Sequence, residues 1–157
     1  EWDRLMAVNM TGVFTCMQRE LKQMIGQKSG VIINNASILG LRGLSPEFSP
    51  RVSYVAAKHA VIGLTKQAAL EYAGDGIRVN AISAGPVATL SARGIPGFTR
   101  MASHHRRNAP LGRSIKAREV GDTALFLCSD MASGITGEIV HVDGGYNIMA
   151  SYAGLVR

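Results

Sequence analysis

An α/β protein built on an open, doubly wound parallel sheet is what this sequence predicts, and three observations carry the expectation. Long segments with apolar residues at helical spacing alternate with short β-branched runs. The short runs are rich in β-branched residues, the first of them consistent with a buried parallel strand. Gly, Pro, Asn or Asp brackets most segments, punctuating helix ends and turns. At 157 residues the chain can bury one sizeable core and forms one domain rather than two.

The elements follow in order. Residues 2–25 place Leu5, Met6, Val8, Val13, Phe14, Met17, Leu21, Met24 and Ile25 at helical intervals, with Gly26 as the expected C-cap. Residues 30–35 read as a buried parallel strand. Residues 40–50, rich in Gly, Ser and Pro, read as a loop. An Ala-rich helix is expected over residues 52–73, its inward side traced by Tyr54, Ala57, Lys58, Val61, Leu64, Ala68 and Leu70. Residues 77–82 form a second strand, broken by Gly85-Pro86. Residues 87–113 make a long connection with one helix around residues 96–105; connections this long are usually functional. A helix over 117–130, with Val120, Ala124, Leu125 and Leu127 inward, leads to a third strand at 138–142, which Asp143-Gly144-Gly145 closes.

Composition excludes several classes. Hydrophobic residues make up 46% and charged residues 18%, which argues for a globular chain and against disorder. No apolar run is long enough to span a bilayer and no signal-peptide pattern opens the chain, so the expected location is the cytoplasm, with no membrane partner. Cys16 and Cys128 are expected as buried, reduced thiols. The formal charge of +6 is mostly scattered. Its one dense cluster, His104-His105-Arg106-Arg107, has no aromatic platform beside it, which speaks against nucleic acid. A solvated face, or a patch meeting an anionic cofactor or acyl carrier, fits better.

The chemistry concentrates in Tyr54-Val-Ala-Ala-Lys58 and in Ser37 of Asn-Asn-Ala-Ser. On a helix, Tyr54 and Lys58 fall on one face. A free tyrosine titrates at about 10, and a neighbouring ammonium favours its phenolate, bringing proton exchange toward neutrality. Ser37 can donate to or accept from the same substrate oxygen. Together they form an acid–base set suited to interconverting an alcohol and a ketone. His59 and His141 have no partner at nucleophile or metal-ligand spacing and read as structural or solvated. No metal site is expected.

Asn9 in Val-Asn-Met-Thr-Gly, Ser37, Tyr54-x-x-x-Lys58, Arg78-Val79-Asn80 and Ala84-Gly85-Pro86 resemble, in order and spacing, the short-chain dehydrogenase/reductase family. The resemblance spans essentially the whole chain. It implies a Rossmann-type sheet that binds NAD or NADP, with Tyr54 as general acid/base and Lys58 holding the nicotinamide ribose. It further implies that Ser37 orients the substrate and that Asn9 holds a water relaying protons from Lys58. Gly85, Pro86, Val87 and Thr89 would contact the nicotinamide end, and the protein would be a homodimer or homotetramer. Each residue also has an ordinary reading: Asn9 as a polar helix residue, Ser37 as a strand-end cap, Lys58 as a solvated lysine, Thr89 as a loop hydroxyl.

Two departures stand out. The stretch between Ser37 and Tyr54 is longer than usual, residues 46–50 looking like an insertion that can bulge outward. No glycine-rich pyrophosphate-binding turn is present, nor the residue that would separate NAD from NADP. The chain starts at Glu1, within a helical pattern and without methionine. Residues 1–157 are therefore expected as a single partial Rossmann-type domain, the catalytic and substrate-binding part of a longer protein. Residues from Arg78 to Tyr146 also resemble enoyl-acyl-carrier-protein reductases, a divergent branch with wider Tyr–Lys spacing. Three readings follow: ketone–alcohol interconversion, including a 3-oxoacyl thioester; enoyl reduction; and a truncated chain inactive on its own.

Overall fold

The computed structural model describes residues 1–43, 45, 48 and 52–149. Its described residues form a three-stranded parallel sheet in the order β1-β2-β3, with β1 Gly30–Asn35, β2 Ile77–Ala84 and β3 Ile139–Val142. β1 pairs with β2 from Gly30 opposite Ile77 to Asn35 opposite Ile82. β3 joins β2 from Ile139 opposite Ala81 to Val142 opposite Ala84. Parallel neighbours need a crossover. The helix α3 (Val52–Tyr72) lies in the first; α4 (Leu90–Arg93), α5 (Phe98–Asn108) and α6 (Ala117–Cys128) lie in the second.

Successive strand side chains point to opposite faces, and both faces are covered, which is why apolar strand residues are not confined to one face. Ile32, Ile77 and Val79 pack on Met17 and Leu21 of α2 (Gly12–Gln27) and on Ala68 and Ala69 of α3. Ile33, Ile82, Val140 and Val142 pack with Leu127 of α6. Buried polar groups are paired across elements. Asn34 Nδ2 donates to Thr65 Oγ1 at 2.9 Å, and that hydroxyl donates to Val61 O at 2.8 Å, tying β1 to α3. Asn80 Nδ2 donates to Ile135 O at 2.9 Å while its Oδ1 accepts from Glu138 N at 3.0 Å. The Arg78-Val79-Asn80 motif thus fastens the turn before β3 to β2.

Several expectations need correction. The first helix is α1 (Trp2–Met6), a π-helical stretch Ala7–Thr11, then α2. It runs through Gly26, and Lys28, left-handed at φ 54°, forms the C-cap instead. Leu70 is exposed because the buried stripe of α3 runs through Val61, Ile62, Thr65, Ala68 and Ala69. Leu125 is exposed because Leu127 takes the inward position, and residues two apart on a helix do not share a face. Val8 and Phe14 are likewise exposed. Cys16 and Cys128 are free but exposed, their neighbours Met17 and Leu127 occupying the buried positions. The long connection holds two helices, α4 and α5, rather than one. No described helix is long and apolar enough to cross a membrane.

Candidate active site

β1 and β2 end at Asn35 and Ala84, both of which line one cavity of about 380 Å³. Open α/β sheets take their ligands outside the carboxyl ends of the strands. Ser37, Tyr54, Lys58, Gly85, Pro86, Val87 and Thr89 all line this cavity.

Ser37 follows β1 and caps the short 3₁₀ turn Ile38–Gly40, its Oγ accepting from Leu39 N at 3.1 Å. The hydroxyl hydrogen stays available for a substrate oxygen. Gly40 explains how this turn reaches the helix: a Cβ there would lie 2.7 Å from Lys58 O, so only glycine lets the turn rest on the α3 backbone. Tyr54 and Lys58 occupy successive turns of α3. Lys58 is 8% exposed; its Nζ donates to Asn35 O at 2.7 Å and lies 5.6 Å from the Tyr54 ring centroid. Burial pushes the Lys58 ammonium below its ordinary value, since removing water disfavours the charged form. At 5.6 Å from the centroid the ammonium is attracted to the electron-rich face of the Tyr54 ring.

β2 hands the chain to Gly85, whose N donates to Val142 O at 3.0 Å. Val87 forms an isolated parallel bridge with Ile115. Thr89 caps α4, its Oγ1 accepting from Ala92 N at 3.1 Å. Asn9 lies apart from this cluster. It sits in the π-helical stretch, a feature frequent at functional sites, and its Nδ2 donates to Leu5 O at 3.2 Å. It lines a second hollow, of about 670 Å³, beside β1. Lys58 and Asn35 line both hollows, so Lys58 stands between Asn9 and the Ser37–Tyr54 cavity.

Two aromatic groups escaped sequence reasoning. Phe48, from the stretch expected to bulge outward, lines the cavity instead. Pro46, Glu47, Ser49 and Pro50 of that stretch lie outside the described residues. His105, expected in a solvated cluster, is 3% exposed and leaves Nε2 without a hydrogen-bond partner. Its ring lies 4.7 Å from that of Tyr146. Burial lowers the His105 pKa, against the opposing charge and backbone hydrogen bond of Asp143. A Cβ at Gly85 would lie 2.7 Å from that Nε2, so glycine there lets α5 close against the end of β2. An unusual aromatic in a Ser/Pro loop was the only signal for Phe48. His105 had none, because its burial depends on residues far along the chain.

A family model described as enoyl-(acyl carrier protein) reductase, from a branch of the short-chain dehydrogenases/reductases, matches residues 1–147. The chain belongs to the short-chain dehydrogenase/reductase family. Among its relatives is the enoyl-acyl-carrier-protein reductase (NADH) FabI of Haemophilus influenzae, 48% identical over 118 residues, or 74% of this chain and 45% of that protein. The 3-oxoacyl-acyl-carrier-protein reductase FabG of Thermotoga maritima is 39% identical over 145 residues, 92% of this chain and 56% of that one. The crystal structure of levodione reductase superimposes with a TM-score of 0.85 at 35% identity, covering 96% of this chain and 59% of that one. The chain thus spans about half the length of the curated relatives it matches. Its parallel sheet with flanking helices is a portion of the Rossmann-type fold of this short-chain dehydrogenase/reductase family.

Proposed function

We propose that this chain is the catalytic and substrate-binding part of an NAD- or NADP-dependent oxidoreductase interconverting a ketone and a secondary alcohol, a 3-oxoacyl thioester among the candidates. The observation that carries the reading is the convergence of Ser37, Tyr54 and Lys58 on one cavity beyond the ends of β1 and β2. Residues 1–157 act as a single partial Rossmann-type domain. A homodimer or homotetramer, as the family resemblance implies, located in the cytoplasm, as the composition suggests, completes the reading.

The donors present suit the nicotinamide end of the cofactor. Lys58 has further protons beyond the one given to Asn35 O, Tyr54 and Thr89 carry hydroxyls, and the Gly85–Pro86–Val87 backbone borders the same cavity. When bound, the cofactor supplies or accepts a hydride. Ser37 donates to the substrate oxygen and orients it. Tyr54 Oη delivers the proton that this oxygen needs on reduction and takes it back on oxidation. Lys58 stabilises the phenolate left behind and gives it back a proton, and Asn9 holds the water that relays a replacement proton to Lys58 from the second hollow.

Enoyl reduction is the second reading, favoured by the description of the matching family model and by the likeness to FabI. The Tyr54-x-x-x-Lys58 spacing and the presence of Ser37 support carbonyl chemistry over it. Loss of NADH or NADPH absorbance with a ketone or a 3-oxoacyl thioester, and none with a crotonyl thioester, is the expected result. Turnover of the crotonyl thioester alone would reverse the assignment. Activity on neither would favour a chain that is inactive by itself.

A further inference from the structure

The Phe48 ring is held in place from α5. It meets the His104 ring edge-on at 5.1 Å with an interplanar angle of 63°, and the Arg100 guanidinium carbon lies 5.6 Å from its centroid. Phe48 N also donates to Ser45 O at 3.0 Å, closing a local turn. His104 in turn meets Tyr146 edge-on at 6.5 Å, so the clamp is anchored to the turn after β3. The same ring lines the cavity that holds Ser37 and Tyr54, in company with Leu39, Ile95, Phe98 and Met101. The polar groups of the cavity converge from the end of β1, from α3 and from the loop after β2, whereas these side chains offer no hydrogen bonds to a ligand. Hydrocarbon carried by a substrate loses water most favourably against them.

We propose that Phe48 is a specificity-determining residue: clamped on α5 by His104 and Arg100, it forms an apolar wall of the cavity that selects carbonyl substrates bearing an aryl or similarly bulky alkyl substituent over small ones. The inference rests on the carbonyl reading given above. A hydrophobic pocket discriminates by roughly 10–200-fold for a single methylene. Removing a whole phenyl contact should therefore be visible as a change in selectivity.

The test compares acetophenone with acetone in the full protein that carries this chain. Phe48→Ala should lower the acetophenone-to-acetone ratio of kcat/KM by about tenfold or more, mainly through KM, and Phe48→Leu should restore part of it. A ratio unchanged within about twofold overturns the proposal. Equal losses on both substrates, carried by kcat, also overturn it, because they mark a purely structural role. Ligand-observed NMR titration with the same two ketones reads the wall without turnover: weaker acetophenone binding in Phe48→Ala supports it, and unaltered binding contradicts it. If the unsubstituted protein turns over no carbonyl, the carbonyl reading fails by itself while the binding ratio still decides the role of Phe48.

Discussion

The cavity beyond the ends of β1 and β2 and the hollow beside β1 share Asn35 and Lys58 and differ in nearly everything else. The first is assembled from segments far apart in the chain: the turn after Ser37, the start of α3, the loop after β2 and the start of α5. Its few polar groups converge, and apolar side chains surround them. The second hollow is lined by consecutive β1 residues, by α2 side chains such as Val13, Cys16 and Met17, and by Asn9. Among the described residues β1 pairs only with β2, so its other edge presents unpaired backbone groups, the usual template for a further strand. One region gathers a few polar groups within apolar walls, and the other borders an open strand edge. Lys58 belongs to both, which makes it the residue where the two can be separated experimentally.

Lys58→Met keeps the apolar stem and removes the charge. Turnover should fall by about 10²-fold or more as Tyr54 loses its cation, with cofactor binding weakened in parallel. Stability should hold or rise, since a buried ammonium is held against its preference for water. Chemical denaturation and steady-state rates together check this. A drop in stability with normal turnover would assign Lys58 to the packing of the two regions alone.

Asn9→Ala probes the second hollow. Loss of one hydrogen-bonded relay member, ~1.4 kcal/mol, should cost about tenfold in kcat, with a steeper dependence on pH and little change in KM. An effect confined to KM, or none, would separate the two regions functionally. The pH dependence of stability tests His105, which packs against Gly85 at the end of β2. Its folded pKa lies below 6.5, so the unfolded chain binds the proton more readily. Its contribution is therefore complete above pH 6.5 and is lost as pH falls from there toward the folded value. The groups facing it are Asp143, whose carboxylate already accepts from Gly145 N and Asn147 N, with Tyr146 and His104. Denaturation midpoints at pH 7.5 and about 5 should differ by less in His105→Gln than in the parent protein.

The strands were legible because buried parallel strands leave short runs rich in β-branched residues, and the three runs land within two residues of their observed ends. The shared face of Tyr54 and Lys58 was legible because helix periodicity is local. The exposure of Leu70 and Leu125 was not, because a stripe of small residues, Ala68 and Ala69, and a single Leu127 took the inward positions. Phe48 and His105 were also hidden. Their places are set by partners far along the chain, His104 and Arg100 for one and Asp143 and Tyr146 for the other.

The central claim is that Tyr54 Oη hands the proton to the substrate oxygen. Tyr54→Phe keeps the ring beside Lys58 and removes only that hydroxyl. Carbonyl reduction, followed by NADH or NADPH absorbance, should fall by about 10²–10⁴-fold while cofactor binding, read by fluorescence titration, is retained. Reduction at an undiminished rate in this variant would contradict the account.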